Sequence, residues 1–188
     1  MSNVVIPTAI STPPAPASAS PSTLSAKVNA TSVFEGASIV HYWPLPINNN
    51  GIPGQTTAEV LARFKSDVVG QGYARVIILC GTNDILQSTP NLTTELTANL
   101  KVMGQIATAA GIQVVLSELP PVTSNGVDLN ATIAAVNDSI AQLAQQQGYL
   151  LVDYFTPMYG HPEYFSDGIH PNAEGYSVME AALAAVLN

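Results

Sequence analysis

Cysteine and charged side chains are both scarce in this sequence of 188 residues. Cys80 is the one cysteine, so the chain can form neither an internal disulfide nor a thiolate metal cluster. Cys80 ends an apolar run that begins at Val76, which favours a buried and unreactive thiol.

Only 10% of the residues are charged, and the net charge is −8 with five lysines and arginines in total. No basic stripe can be assembled from so few cations, which argues against nucleic acid and anionic lipid surfaces as partners.

Targeting and membrane signals are also absent from the sequence. No run approaches the ~20 apolar residues that a transmembrane helix needs. The first basic residue is Lys27, and no basic segment precedes an apolar stretch, so no secretory signal is visible. The compartment therefore stays open: the chain remains inside the cell, has lost a signal, or is exported as part of a larger assembly.

Sites for metals and phosphates are not indicated either. The three histidines, His41, His161 and His170, lack the spacing of metal ligands, and no phosphate-binding glycine loop is present. We therefore expect no metal and no cofactor. His161 lies beside Pro162 and is interpreted as a loop residue, with a position on the rim of a pocket as the alternative.

Proline, alanine and serine dominate residues 11–22. A tract of this composition buries too little apolar surface to offset the loss of chain entropy, and its prolines favour extended conformations. We predict an arm or linker over residues 1–30 and a folded domain over residues 31–188. Within the arm, Val4-Val5-Ile6 is a candidate strand or anchor on a neighbouring chain.

Short apolar runs alternate with segments of helical periodicity in the rest of the chain. The predicted strands are Ser32–Gly36, Arg75–Cys80, Ile112–Ser117 and Tyr149–Tyr154. The predicted helices are Thr56–Phe64, Leu92–Ala110, Asp128–Gln147 and Asn172–Leu187. This alternation predicts an α/β fold with a mostly parallel sheet covered by helices on both faces. Functional sites in such folds form beyond the carboxyl ends of the strands.

An aspartate and a histidine occur three residues apart near the C-terminus, in Asp167-Gly168-Ile169-His170-Pro171. In a tight turn, this spacing lets the carboxylate reach one ring nitrogen of His170 and leaves the other nitrogen free to act as a base. Taken alone, the pair is more typical of a surface turn than of a catalytic site. A base of this kind has a use only if a nucleophile lies near it.

Candidate partners follow the other predicted strands. Ser38 comes directly after the first strand, where its hydroxyl would stand at a strand-to-helix turn. The segment from Asn48 to Thr57 contains Gly51 and Gly54 and leads into a helix, so its backbone N–H groups would point to the space above the sheet. Asn83 places a side-chain amide after the next strand. Ser38, Asn83 and these glycines can also be ordinary turn residues.

The order of Ser38, Gly54, Asn83 and His170 resembles the SGNH hydrolases, also called GDSL-type esterases and lipases. The resemblance covers the chain from about Val33 to the C-terminus, and it is carried by Gly51–Thr57, Gly81–Asp84 and Asp167–Asn172. It implies a flavodoxin-like three-layer α/β/α sandwich.

The resemblance also implies a catalytic triad of Ser38 as nucleophile, His170 as base and Asp167 as the residue that orients His170. The backbone N–H groups of Ser38 and Gly54 and the side-chain amide of Asn83 would form the oxyanion hole. A serine hydroxyl needs such a base, and the tetrahedral intermediate needs donors already in place.

Ala37 departs from the family pattern, which usually has aspartate before the nucleophile. The aspartate does none of the chemistry, so we do not expect its absence to abolish catalysis.

Tyr42 and Trp43 could line an acyl or sugar pocket or belong to the core. We expect Asp84 to be structural.

Two classes of function fit these residues. The first is a metal-independent serine esterase that removes a short acyl group, acetyl foremost and on carbohydrate, through an acyl-Ser38 intermediate. No long insertion that could form a lid over a fatty-acid tunnel is apparent. The second is a structural or glycan-binding module that reuses the fold with little or no catalysis. Transfer of the acyl group to an acceptor other than water would use the same residues as hydrolysis.

Overall fold

Five parallel strands form the central sheet of the computed structural model, which describes Leu24 and residues 26–187. The strands of the described residues are β1 (Ser32–Gly36), β2 (Asn48–Gly51), β3 (Arg75–Leu79), β4 (Gln113–Ser117), β5 (Thr123–Ser124), β6 (Val127–Asp128) and β7 (Leu150–Val152). Strands β5 and β6 pair as a separate antiparallel hairpin. The other five strands lie in the order β2-β1-β3-β4-β7, and all of their pairings are parallel.

Helices cover both faces of the sheet. They are α1 (Ala26–Thr31), α2 (Ser38–His41), α3 (Thr57–Val68), α4 (Thr82–Leu86), α5 (Leu92–Ala109), α6 (Asn130–Gln147) and α7 (Ala173–Leu187), with a 3₁₀ turn at Pro162–Tyr164. Helix α5 packs against α3 and α6 in one layer. In the other layer, α7 is joined to α2 by a 2.8 Å hydrogen bond from the Tyr176 hydroxyl to the carbonyl oxygen of Ile39. The predicted three-layer α/β/α fold is confirmed.

The predicted core strands are found where the apolar runs place them. Every residue of β1 is buried, as is every residue but the first of β3 and of β4. Branched side chains at both faces of a strand are typical of a parallel sheet that is covered by two layers of helices. Cys80 is buried directly after β3, and burial raises the pKa of its thiol well above the usual range. This agrees with the expected unreactive thiol.

Strand β2 was not predicted, because Asn48-Asn49-Asn50-Gly51 contains no apolar side chain. In place of apolar contacts, the side-chain amides of its asparagines bond backbone carbonyls of β1 and α2. Asn48 Nδ2 donates to the Ser32 carbonyl at 2.8 Å, and Asn49 Nδ2 donates to the Val40 carbonyl at 2.5 Å. The edge strand is therefore held by polar contacts that hydrophobic periodicity cannot reveal.

The predicted start of α6 at Asp128 was wrong by two residues. Asp128 belongs to β6, and the helix begins at Asn130, whose N–H donates to Asp128 Oδ1 at 2.7 Å. The preceding hairpin turns at Asn125-Gly126, where both residues have positive φ. An Asn-Gly pair is a strong hairpin signal, so this turn could have been predicted from the sequence.

Part of the predicted arm over residues 1–30 is outside the described residues, including the Pro/Ala/Ser tract and Val4-Val5-Ile6. Its last residues form α1, which contacts β1. None of the described helices is both long enough and apolar enough to cross a membrane.

Candidate active site

Ser38 begins α2 directly after the end of β1, with Ala37 as the residue that joins the two elements. The first N–H groups of a helix have no acceptor within the helix. Among the described residues, the Ser38 N–H has no protein acceptor at all. Both the hydroxyl and the N–H of Ser38 are therefore presented at the carboxyl end of the sheet, as the sequence predicts.

Asp167 and His170 lie on the loop between β7 and α7, which is held together by its own backbone. The Ser166 N–H donates to the His170 carbonyl at 2.8 Å, and Phe165 forms a β-bridge with Pro171. Asp167 Oδ1 accepts the N–H groups of Ile169 at 2.9 Å and His170 at 2.8 Å. These bonds hold the Asp167 carboxylate in a position from which its other oxygen can bond the imidazole of His170.

The predicted triad residues meet in one chain of hydrogen bonds. His170 Nδ1 lies 2.7 Å from Asp167 Oδ2, and His170 Nε2 lies 2.9 Å from Ser38 Oγ. An ionised carboxylate can only accept, so Nδ1 carries the proton and Nε2 is left to accept the proton of Ser38. The separation between serine and histidine is therefore one that permits proton transfer.

The Asp167 carboxylate is suited to remain ionised. Partial burial raises its pKa, but the hydrogen bonds from His170 and Ile169 outweigh burial and hold the pKa below its ordinary value. Asp167 therefore carries a negative charge at neutral pH beside the ring that would become positive during proton transfer.

Gly54 lies in the connection between β2 and α3, with φ of +84°, a left-handed conformation that favours glycine. Its N–H has no acceptor within the described part of the chain. Its carbonyl oxygen accepts Gln87 Nε2 at 2.9 Å, which ties the turn to the end of α4. The geometry leaves this N–H available as a donor.

Asn83 lies in the first turn of α4, just after β3. Its Nδ2 donates to the Gln55 carbonyl at 2.9 Å. A side-chain amide has two N–H donors, so this bond orients the amide and leaves a second donor for an oxyanion. The strands that carry Ser38, Gly54 and Asn83 are the neighbours β1, β2 and β3, and this order brings the three together.

The two candidate pocket residues separate in the structure. Tyr42 is 54% exposed, and its ring meets the His170 ring edge-on, with the centroids 5.7 Å apart. Trp43 is instead buried among Phe34, Tyr154 and Tyr176, so the structure places it in the core and not in a pocket. Adjacent residues at the end of a short helix point to different sides of it, and only one of them can face the site.

Two clefts border the Asp167–His170 loop. One, of about 410 Å³, is lined by Tyr42, Pro44, His170 and Tyr176 among others. The second, of about 590 Å³, lies between the β5–β6 hairpin and the loop, and His161 lies on it together with Asp167. His161 is bonded to Glu163 at 2.8 Å and stacks on Tyr164. It is therefore a loop residue that also borders a cleft.

Asp84 is structural, as expected. Its buried carboxylate accepts the N–H of Thr57 at 2.8 Å and the Thr57 hydroxyl at 2.6 Å, and it thereby joins α4 to the start of α3. In residues 24 and 26–187, no group of three or more His, Cys, Asp or Glu side chains is placed to hold a metal ion.

Sequence reasoning missed a buried ionic network beneath the site. Glu35 is fully buried on β1 and pairs with Arg63 of α3 at 2.9 Å. Burial raises the pKa of Glu35 to about 7, although hydrogen bonds from Asn50 and Arg63 favour its ionised form. The glutamate that follows Val33 and Phe34 in a predicted strand was the available signal, because a buried acid requires a partner and the chain has few cations.

Comparisons with known proteins bear on the family and the fold of the chain. The model of the GDSL-like lipase/acylhydrolase family matches residues 35–178. No match was found among the curated proteins.

Three solved structures show the range of the structural similarity. A GDSL-like lipase from Bacteroides thetaiotaomicron is 30% identical, with a TM-score of 0.76 over 86% of this chain and 89% of that chain. A candidate acylhydrolase from Bacteroides fragilis is 32% identical, with a TM-score of 0.76 over 84% and 86% of the two chains. An acetylxylan esterase from Geobacillus stearothermophilus is 16% identical, with a TM-score of 0.72 over 85% and 95%, a likeness of fold alone. By its family match and by the two structures that are 30% and 32% identical, the chain belongs to the GDSL-like lipase/acylhydrolase family, the SGNH hydrolases.

Proposed function

We propose that the protein is a serine esterase that removes a short acyl group, acetyl foremost, from O-acylated carbohydrate. The observation that carries the proposal is the hydrogen-bonded chain from Asp167 through His170 to Ser38. Each of its three members has the partner that its role in acyl transfer requires. The expected partner is thus a small ester or an O-acylated glycan.

In the acylation step, His170 Nε2 takes the proton of Ser38 as Oγ attacks the ester carbonyl carbon. The carbonyl oxygen becomes an oxyanion, which accepts hydrogen bonds from the N–H groups of Ser38 and Gly54 and from Asn83 Nδ2. The tetrahedral intermediate then breaks its bond to the alcohol oxygen, which leaves with the proton from His170. The product of this step is acyl-Ser38.

In the deacylation step, His170 takes a proton from water as the water oxygen attacks the acyl carbon. A second oxyanion forms at the same donors, and its collapse releases the carboxylic acid and returns the proton to Ser38. Each preplaced donor typically contributes about 3 kcal/mol to stabilisation of such an intermediate. Asp167 stabilises the imidazolium form of His170 in both steps.

The connections around the nucleophile support a short acyl group. One residue joins β1 to α2, two join β3 to α4, and five join β2 to α3, so these described segments contain no cover for a long acyl chain. The cleft of about 410 Å³ beside His170 lies in the range of small-molecule sites and has the volume for a sugar ring. The acetylxylan esterase of the same fold offers a precedent for this substrate class.

The test is hydrolysis of p-nitrophenyl acetate by the wild type and by Ser38→Ala. We expect Ser38→Ala to lose activity by a factor on the order of 10⁴ or more. Ser177→Ala is the matched control, because this exposed serine bonds only the carbonyl of its own helix at 3.0 Å. Equal rates for wild type and Ser38→Ala would contradict the proposal and favour the module without catalysis.

Two further measurements refine the substrate class. Activity on p-nitrophenyl esters should fall as the acyl chain lengthens from acetate to octanoate, and acetylated xylo-oligosaccharides should release acetate.

Activity should persist in EDTA, because the proton transfers and the oxyanion contacts are assigned to side chains and backbone groups. Loss of activity in EDTA that a divalent metal restores would contradict the proposed metal independence.

A further inference from the structure

We propose that Arg63 is a positioning residue for this reaction, one that fixes the nucleophile strand relative to the oxyanion loop. The oxyanion loop is defined here as residues 52–56, which connect β2 to α3 and include Gly54. The inference rests on the proposed function, since it assigns a role to a residue that would contact neither substrate nor Ser38.

The guanidinium group of Arg63 binds four groups in different directions. Nη2 donates to the carbonyl oxygen of Gly36 at 2.9 Å, and Nε donates to Gln55 Oε1 at 2.7 Å. Nη1 donates to Glu35 Oε2 at 2.9 Å and to Asp67 Oδ2 at 2.7 Å. The planar fork of arginine can make all of these bonds at once, which the single ammonium group of lysine cannot.

Two of these contacts lie next to the proposed reacting groups. Gly36 precedes Ser38 by two residues, and Ala37 between them has no polar side chain with which to hold the turn. Gln55 directly follows Gly54, and its carbonyl oxygen is the acceptor for Asn83 Nδ2 at 2.9 Å. One arginine therefore connects the segment of the nucleophile to the loop that presents the Gly54 N–H and anchors the Asn83 amide.

The other two contacts hold Arg63 itself in place. Its side chain is only 15% exposed, and that of Glu35 is fully buried. Asn50 Nδ2 donates to the second oxygen of Glu35 at 2.6 Å, so β2 also enters the network. Charged hydrogen bonds in a buried setting are short and directional, which suits an element that must maintain a fixed distance between two segments.

The main test is Arg63→Lys, assayed on p-nitrophenyl acetate beside the wild type. A misplacement of reacting groups by about 1 Å can cost a factor of 10² in rate, so we expect kcat to fall about 10-fold to 100-fold. KM should change less than about twofold, because Arg63 is assigned no contact with substrate. A kcat equal to that of the wild type would overturn the inference.

Arg75→Lys is the matched control. Arg75 also bridges neighbouring elements, through Gln113 Oε1 at 2.7 Å and Ser32 Oγ at 3.3 Å, but it lies at the opposite end of the strands from Ser38. The same substitution there should leave kcat unchanged. Equal losses in the two variants would overturn the inference, since they would indicate a general effect of removing an arginine.

A double-mutant cycle separates positioning from a loss of stability. If Arg63 acts through Gln55, then Gln55→Ala alone should lower kcat, and Arg63→Lys should cost little more in its background. Additive losses would overturn the inference. Gln55→Ala also provides the test if Arg63→Lys fails to fold, because an unchanged kcat in this variant would be the contrary outcome.

Failure of the proposed function would give a different result from failure of this inference. If Ser38→Ala matches the wild type, the esterase proposal fails, and amide hydrogen exchange of the oxyanion loop then tests Arg63 without any assay of activity. Exchange over residues 52–56 should be faster in Arg63→Lys than in Arg75→Lys. Equal exchange would overturn the positioning role.

Discussion

The nucleophile half and the base half of the candidate site are held by different interactions. The nucleophile half comprises Ser38 and Gly54, which follow strands joined by Arg63 and the fully buried Glu35, and Asn83, which bonds the Gln55 carbonyl beside them. Asp167 and His170 rest on a loop that bonds mainly to itself, and their side chains are 53% and 30% exposed. The groups of the nucleophile half are positioned by a buried network of residues that are distant in sequence. Those of the base half, Asp167 and His170, are positioned by residues that are close in sequence.

This difference has a consequence for mutations. Side chains of the base half can be replaced at little cost in stability, because they are partly solvated and their loop is held by backbone hydrogen bonds. Changes beneath the nucleophile half disturb buried charges and should affect stability as well as activity.

Asp167→Asn should lower kcat by about 10⁴-fold with little change in thermal stability. An amide can donate to His170 Nδ1 and so favour the wrong tautomer, while its oxygen can still accept from Ile169 and His170. Steady-state kinetics and thermal unfolding measure the two effects. Glu163→Gln is the control, because Glu163 pairs with His161 at 2.8 Å in the same loop. A large loss of stability in Asp167→Asn would contradict the contrast.

Asn83→Ala should lower kcat by about 10²-fold to 10³-fold through loss of one oxyanion donor. Gln87→Ala is a suitable comparison, because Gln87 also bonds the oxyanion loop, at the Gly54 carbonyl, yet is assigned no contact with the oxyanion. It should lower kcat less than about tenfold. Equal effects in the two variants would mean that Asn83 acts only by holding the loop.

Gly168→Ala should destabilise the base half and lower kcat about tenfold. Gly168 has φ of +82°, and an added Cβ would overlap the carbonyl oxygen of Thr123 in the β5–β6 hairpin. A side chain in this backbone conformation costs about 1–3 kcal/mol before any clash. Gly70→Ala carries the same φ with open space around it, so it isolates the strain alone. If the two variants match in unfolding and activity, the hairpin contact has no role.

Glu35→Gln should change the pH dependence of stability more than it changes activity. In the folded protein the pKa of Glu35 is about 7, above the ordinary value near 4.5. Between these two pH values the folded protein therefore keeps a proton on Glu35 that the unfolded chain has lost. The free energy of unfolding therefore falls as pH rises from about 4.5 to 7, by up to about 3 kcal/mol from this group. Urea unfolding at pH 5 and pH 8 should show a smaller fall in Glu35→Gln.

Asp167 should act in the opposite direction and only weakly, because its folded-state pKa is lowered but its side chain is 53% exposed to solvent. Its contribution is present above a pH of about 4 and is lost as the pH falls further. The two halves of the site thus oppose each other in the pH dependence of stability. An unchanged slope between pH 5 and pH 8 in Glu35→Gln would contradict the assigned role of burial at Glu35.

Much of the fold could be predicted because hydrophobic burial leaves a periodic trace in sequence. The apolar runs of β1, β3 and β4 and the helical spacing of α5 each indicated the correct element. Strand β2 left no such trace, because side-chain amides hold it and no apolar face does. The hairpin before α6 does have a local signal in the sequence, the Asn125-Gly126 turn.

The candidate site was predictable for a related reason. Its groups follow strand ends that a parallel sheet must bring to one edge, and Asp167 reaches His170 through local spacing alone. The contact between Ser38 and His170 spans 132 positions, so no spacing could supply the 2.9 Å between them. Tyr42 and Trp43 were likewise inseparable until the packing of α2 assigned one to the surface and the other to the core.

By itself, then, the sequence determined the fold class, the order of the site's residues and the pairing of Asp167 with His170, because each depends on periodicity or on short spacing. Only the tertiary structure decided how Arg63 joins Gly36 to Gln55 and where the buried charge of Glu35 is placed. Those contacts depend on the packing of α3 against β1 and β2. Contacts between elements distant in sequence are set by the packing of the whole domain, which no local pattern records.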